Sequence, residues 1–327
     1  MLGLGFSTNR SSSSEGASIG GRTSFTGLLD ESYGGSAAAA YSLRRLSNSY
    51  EGKAVQIRRA SDNIEVDVGF DANNEISLDS PVYNVTEETT GSSPTPDFSR
   101  ADNLGQFIGN ASYENKDLLS SPDSALIQCW YDQSGNSKDA IQSTAGSQPQ
   151  LVSSGAIVTE NGKPTLSFDG SSHYFVLSID SLNINNLSVH TVCSSDNLSG
   201  SRMQFTLGTD TGVRYWHYQV GGADRAYYGG TSPFIEYGSM DTDQHLYSFI
   251  AGSTSTVFRM FTDGTEAGST VTLQSGTPST SQQRIGAYHN NGLNWSGTIQ
   301  EFVLYSADST NNRTDIESNI NTFYSIY

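Results

Sequence analysis

The chain has 327 residues and a formal net charge of −17, yet only 16% of its residues are charged, with 34 Asp and Glu against 17 Lys and Arg. So sparse a supply of cations excludes a nucleic-acid partner, which needs clustered basic side chains to displace counterions. No apolar run approaches the roughly 18–20 residues needed to span a bilayer, whereas 35% hydrophobic and 10% aromatic residues suffice for a core.

Residues 1 to about 27 are Ser/Gly-rich and without periodicity, so 1–30 reads as an arm that a partner would order. The opening Met1-Leu2-Gly3-Leu4-Gly5-Phe6 is too short for a signal-peptide core and lacks a basic lead. The alanine run from Ala37 to Leu46 predicts a short helix, since Ala is the strongest helix former. Next, 54–59 and 64–70 alternate apolar with polar residues, as half-buried strands do, around the hairpin chemistry of 60–63. Arg44, Arg45, Lys53, Arg58 and Arg59 read as a solvated strand edge. Residues 81–122, rich in Ser, Thr, Pro and Asp, predict a surface excursion with one weakly helical piece near Asn103–Ile108.

From Ser124 onward, strand-like runs recur at short spacing: 125–131, 165–168, 174–179, 187–193, 203–207, 215–220, 245–251, 255–262, 269–273, 282–287 and 297–305. Many short strands with Gly-bearing turns are what a β-sandwich gives, so 31–327 is expected to be one all-β body. No fixed period emerges, which disfavours a propeller or solenoid. After a turn, Ile316, Ile320, Phe323 and Tyr327 form one stripe of a C-terminal helix, capped by Asp308, Ser309 or Thr310. Cys129 and Cys193 do not make a disulfide framework; they are buried small hydrophobes or one bridge. The five His lack metal-ligand spacing, and Asp241, Asp243 and Gln244 read as a solvated turn rather than a calcium loop. No metal and no cofactor are therefore expected.

Ligand-facing candidates come from aromatics that sit beside polar residues and glycine turns, because sugar sites place a few polar groups on an apolar floor. On the strand at 215–220, alternation puts Trp216 and Tyr218 on one face and Tyr215 and His217 on the other. Tyr227 and Tyr228 precede Gly229-Gly230, while His289, Asn290, Asn291 and Trp295 share a Gly/Asn turn. The carbohydrate-binding candidates are Asp210, Trp216, Tyr218, Tyr228, His289, Asn290 and Trp295, with Trp295 expected to be exposed.

Three segments carry a family resemblance: Ala39-Ala40-Tyr41-Ser42-Leu43-Arg44, then 54–62, then Trp130-Tyr131-Asp132-Gln133-Ser134-Gly135-Asn136. They resemble the opening of the arabinofuranosidase B catalytic domain, and the Tyr-Asp-Gln-Ser-Gly-Asn hexad is the specific part. The resemblance extends over roughly Ala38 to Tyr327 and implies a concanavalin A-like (laminin-G/lectin) jelly-roll sandwich. Segments such as Ile299-Gln300-Glu301-Phe302-Val303-Leu304-Tyr305 are also similar to structural proteins of marine tailed phages. A retaining glycosidase needs two carboxylates about 5 Å apart. The family's nucleophile, a Glu, falls near Asp210, one methylene shorter; its acid, an Asp, falls within 286–291, where there is no carboxylate. The family's consecutive Cys pair is absent as well, so the resemblance implies a scaffold without its catalyst.

The expected function is thus a phage virion structural protein, a tail-fibre or capsid-surface component assembled in the host cytoplasm and exposed on the particle exterior. Its arm would meet other virion proteins, its sandwich would face a host glycan, and by analogy with fibres it would form a homo-oligomer such as a trimer. The alternatives are an arabinofuranosidase-type glycoside hydrolase and a purely architectural capsid decoration protein.

Overall fold

The computed structural model describes residues 25–86, 101–115, 119–208, 214–228, 234–252, 257–267, 270–272 and 282–327. Residues 1–24 of the expected arm and 87–100 and 116–118 of the expected excursion lie outside them. The chain folds as an all-β sandwich of two antiparallel sheets, with two short helices, α1 (Leu104–Phe107) and α2 (Arg313–Tyr324).

The larger sheet runs, neighbour by neighbour, through Val82–Thr86, Glu65–Val68, Val55–Arg59, Ala125–Trp130, Ala140–Ile141 and Phe175–Leu177. It continues through Gln283–Ile285, Ser201–Gly208, Arg214–Val220, Ala223–Tyr228 and Phe234–Ser239. The smaller sheet is centred on Ser296–Tyr305. Ala37–Ser42 and Leu166–Asp169 share one edge of that strand, and Leu187–Ser195 pairs with the other. His245–Gly252 and Val257–Thr262 follow outward. Gln150–Ser153 pairs with both Ala125–Trp130 and Leu166–Asp169, and so joins the two sheets at one side.

Alternation along each strand sends one set of side chains inward. Aromatic contacts between the sheets mark the seam: Phe205 meets Phe302 at 5.3 Å and Phe249 at 5.5 Å, Tyr228 stacks on Phe258 at 5.1 Å, and Trp130 lies 5.8 Å from Tyr41. The smaller sheet is also covered on its outer side. Val192, Leu246, Val303 and Tyr305 pack there against Ile316, Ile320 and Tyr324 of α2 and against Leu28, Tyr33 and Leu46. Buried on both faces, Leu187–Ser195 and Ser296–Tyr305 read as near-continuous buried runs.

Several expectations are corrected here. Ala37–Ser42 is a strand, not a helix: pairing with Ser296–Tyr305 overrides alanine's intrinsic preference. The basic cluster is not solvated, for Arg44, Arg45, Arg58 and Arg59 are all buried. Arg44 forms a two-pronged pair with Glu301, Nε to Oε2 at 2.7 Å and Nη2 to Oε1 at 2.9 Å. Ser42 Oγ and Tyr324 Oη donate to the same carboxylate, at 2.8 and 3.2 Å, which ties α2 to the sheet. The excursion contributes to the core as well, since Leu104, Phe107 and Ile108 are fully buried and Asn103 caps α1 through Gln106 N at 3.0 Å. Helix α2 starts after Asn312, with no side-chain cap, and ends at Ser325 in the left-handed region, so Tyr324 is buried while Tyr327 is exposed. Cys129 and Cys193 are free, buried thiols.

Candidate functional site

The hexad that dominated the sequence is a clasp on Ala37–Ser42. The Asp132 carboxylate, 5% exposed, accepts from Ala40 N (2.9 Å), Ser134 N (2.8 Å), Ser134 Oγ (2.7 Å) and Lys138 N (3.1 Å). Gln133 Oε1 accepts from Leu46 N at 2.8 Å, and its Nε2 donates to Ser42 O and Arg44 O, both at 3.0 Å. Asn136 Nδ2 donates to Ala37 O at 2.8 Å. These side chains satisfy backbone groups that the strand edge would otherwise leave unpaired, which is why Asp, Gln and Asn are needed there.

The larger sheet offers a different surface. Pairing places one residue from each of eight strands in a transverse row: Cys129, Ile141, Val176, Arg284, Thr206, Trp216, Tyr227 and Phe234. The neighbouring row, Phe175, Ile285, Phe205, His217, Ala226 and Ile235, is fully buried and faces the core. Since successive residues of a strand point to opposite faces, Ile141, Val176, Arg284, Thr206, Tyr227 and Phe234 point to the outside of the sandwich. Ile141, Val176 and Phe234 are 49%, 36% and 37% exposed, high values for large apolar side chains. From Ile141 to Phe234 the row crosses six inter-strand steps of about 4.8 Å, roughly 29 Å in all.

Polar groups interleave with this apolar row. Tyr227 and Phe234 stack at 5.1 Å, and the Arg225 guanidinium lies 4.7 Å from the Phe234 ring while Nε donates to Glu236 at 2.6 Å. The Arg284 guanidinium lies 5.9 Å from the Tyr174 ring, with Nε donating to Asn291 Oδ1 at 2.8 Å. Thr206 Oγ1 donates to Ala287 O at 3.0 Å, which folds the 286–295 turn toward the row. Gly286 opens that turn at φ +85°, where a Cβ would stand 2.4 Å from the Phe168 ring. Aromatic rings beside guanidinium and amide groups form a surface that can stack on a flat ligand face and hydrogen-bond its edge.

The expected site residues distribute unevenly over this surface. Trp216 is in register with Thr206 and Tyr227, and Tyr218 with Met203 and Arg225. His289 is half-buried beside Tyr288, ring centroids 4.2 Å apart, and Asn290 is exposed in the turn. Two candidates are corrected. Tyr228 is fully buried, stacked on Phe258 and donating its hydroxyl to Asn185. Trp295 is fully buried too, with its indole N–H toward Thr298 O at 3.4 Å, because the Gly/Asn turn folds it into the sandwich. Asp210 lies outside the described residues. Ile141, Val176, Arg284 and Phe234 were missed: single apolar residues in short strands carry no local signal, and only pairing aligns them.

A second polar cluster sits on the 241–263 side. His245 Nδ1 meets Asp263 Oδ2 at 2.6 Å and Nε2 meets Asp241 Oδ1 at 2.9 Å. The hydrogen bond from the imidazole to the Asp263 carboxylate leads in raising the His245 pKa to about 9, against partial burial and with Asp241 assisting. Burial pushes the Cys129 and Cys193 thiols well up, so neither is a ready nucleophile.

No family model matches the chain, and no curated protein matches it. Solved structures do. A GH54 α-L-arabinofuranosidase soaked with a cyclic sulfate inhibitor is 18% identical with a TM-score of 0.55, covering 90% of this chain and 65% of that one. A mutant GH54 enzyme soaked with 4-nitrophenyl α-L-arabinofuranoside gives 18% and 0.56 over the same coverage. An arabinofuranosidase complexed with arabinofuranosyl-α-1,2-xylobiose gives 19% and 0.52, covering 87% of this chain and 62% of that one. The chain therefore spans somewhat less than two thirds of the length of these enzymes, and it shares with them the β-sandwich fold of a glycoside hydrolase.

Proposed function

We propose that this chain is a carbohydrate-binding sandwich that holds its ligand on the outer face of the larger sheet. One observation carries this reading: on the outer side of a sheet whose inner side is packed, Thr206 and Arg284 are buried in the middle of the row, while Ile141 and Val176 at one end and Phe234 at the other keep large apolar side chains in solvent. Surfaces of that kind mark interaction sites, and polar groups border this one, Arg225 bonded to Glu236 and Arg284 to Asn291. The fold shared with arabinofuranosidases supports a sugar as the ligand class. We further propose that binding is not followed by hydrolysis, because 286–291 holds no carboxylate to serve as the acid. Display on a phage particle is the context we assign, supported by the similarity of 299–305 to phage structural proteins.

Calorimetry against arabinan- and xylan-derived oligosaccharides tests the binding claim. The expected result is saturable binding that weakens in Tyr227→Ala and Phe234→Ala; no binding to any glycan of a broad array would overturn it. Mass spectrometry of purified particles tests the context, expecting the chain in stoichiometric amounts. The second reading, an arabinofuranosidase-type hydrolase, is favoured by the extent of the structural likeness, 90% of this chain. Release of 4-nitrophenol from 4-nitrophenyl α-L-arabinofuranoside, abolished by Asp210→Asn, would establish it in place of the first.

A further inference from the structure

Beside the end of α2 lies a small hairpin, Thr159–Glu160 paired with Lys163–Pro164, which turns through Asn161 and Gly162. Both turn residues have positive φ, +50° and +72°, a geometry that asparagine and glycine tolerate in two-residue hairpin loops. Gln300 Nε2 ties the hairpin to the smaller sheet, lying 3.2 Å from Glu160 O and 3.3 Å from both Lys163 O and Pro164 O. The Lys163 ammonium pairs with Glu75 at 3.0 Å and sits 4.1 Å from the Phe323 ring of α2. The tip of the hairpin reaches the helix end: Asn161 Nδ2 donates to Tyr324 O at 2.8 Å and to Ser325 O at 3.1 Å. The last carbonyls of a helix lack partners within it and carry the negative end of its dipole. The last turn of α2 contains no basic residue, so Asn161 supplies from another element the donor which that turn lacks.

We propose that Asn161 is a modification site whose deamidation releases the end of α2. In an Asn-Gly step the glycine nitrogen can attack the asparagine side-chain carbonyl, because no side chain on the glycine crowds the approach. The bond from Gly162 N to Asn161 Cγ forms and the Cγ–Nδ2 bond breaks. Nδ2 leaves as ammonia, taking up the proton of the glycine amide. Water then opens the cyclic imide at one of its two carbonyls, giving aspartate or isoaspartate. The surroundings suit this reaction. Asn161 and Gly162 are exposed, no atom lies within 4 Å of where a Gly162 Cβ would stand, and the Gly162 N–H makes no hydrogen bond among the described residues. Neither product can replace the amide, since two carbonyl oxygens face it and a carboxylate brings only acceptors and a negative charge to the negative end of the helix. The other Asn-Gly step of the chain has the opposite polarity. Asn291 Oδ1 accepts from Arg284 Nε at 2.8 Å, so an aspartate there keeps its bond, and the Gly292 N–H is already donated to Asn290 Oδ1 at 3.1 Å.

Peptide mapping by mass spectrometry, after the intact folded chain is held in mild alkali, tests the modification. Aspartate and isoaspartate are expected at Asn161; an Asn161 that stays intact in the folded chain while a urea-unfolded sample converts would overturn the site. Hydrogen exchange on the Asn161→Asp variant tests the consequence separately. Aspartate is also accepted in this turn, so the hairpin is expected to persist. Exchange at the Ser325 N–H and along the last turn of α2 is expected to rise about tenfold, while Asn291→Asp leaves α2 at the wild-type rate. Exchange in α2 equal to wild type in Asn161→Asp, or an equal rise in Asn291→Asp, would overturn the release.

Discussion

The two sheets of this sandwich present opposite solutions on their outer faces. The smaller sheet hides its outside beneath α2 and the side chains of Leu28, Tyr33 and Leu46, and anchors that cover with Arg44, Glu301, Ser42 and Tyr324. On the larger sheet, the row from Ile141 to Phe234 stays partly in solvent. Both faces are rich in aromatic residues, so hydropathy does not separate them. What separates them is satisfaction: on the closed face a carboxylate, a guanidinium and two hydroxyls complete one another, whereas the open face combines exposed rings with side chains bonded along its rim. Within one fold, then, one outer face is closed by packing, and the other is the one we propose for recognition.

The comparison breaks most severely if the closed face is not essential. Glu301→Ala strips the counterion from a buried guanidinium and is expected to destabilise by about 3–5 kcal/mol, read as a fall in the urea midpoint; a shift no larger than that of a surface variant would refute the role. Ile320→Ala, under α2, should cost about 2–4 kcal/mol through lost burial and a cavity. Asp132→Ala removes the acceptor for several clasp donors and is expected to cost about 1–3 kcal/mol, with earliest hydrogen exchange at Ala40. On the open face the pattern reverses. Phe234→Ala should change stability by under about 1 kcal/mol but weaken oligosaccharide binding roughly tenfold; equal damage to both would merge the two faces into one.

The smallest expected effect is a pH dependence away from either face. His245 has its folded-state pKa raised to about 9, led by the Asp263 hydrogen bond, against an ordinary value of 6.5. A raised basic group contributes stability that is full below about pH 6.5 and lost as pH rises through about 9. Asp241 is 58% exposed at its side chain, which screens its share. Thermal midpoints should therefore fall between pH 6.5 and 9 in wild type and stay flatter in His245→Gln.

Much of the closed architecture was legible in the sequence because it obeys periodicity. The strands at Val55–Arg59, Leu187–Ser195 and Ser296–Tyr305 stand out by recurrent apolar and β-branched residues bounded by turn residues, and Ile316 and Ile320 mark the packed side of α2. Ala37–Ser42 misleads because alanine's helical preference is local while its strand partner lies far along the chain. Ala223–Tyr228 hides because an inward position holds Asp224, a carboxyl accommodated in the core by its contact with His217. Trp295 misleads in the other direction, since a glycine-rich turn looks exposed until it is seen to fold inward. The open row could not be read at all from spacing, for its members are scattered from Ile141 to Arg284 and are aligned only by strand register.

We propose that ligand contact belongs to the outer face of the larger sheet. Chemical-shift mapping of the isotope-labelled chain titrated with an arabino-oligosaccharide distinguishes this face from the others. Shifts are expected to concentrate at Val176, Tyr227, Phe234, Arg284 and His289. Shifts centred instead on α2 or on the turn at Asp241, or none at saturating ligand, would contradict it.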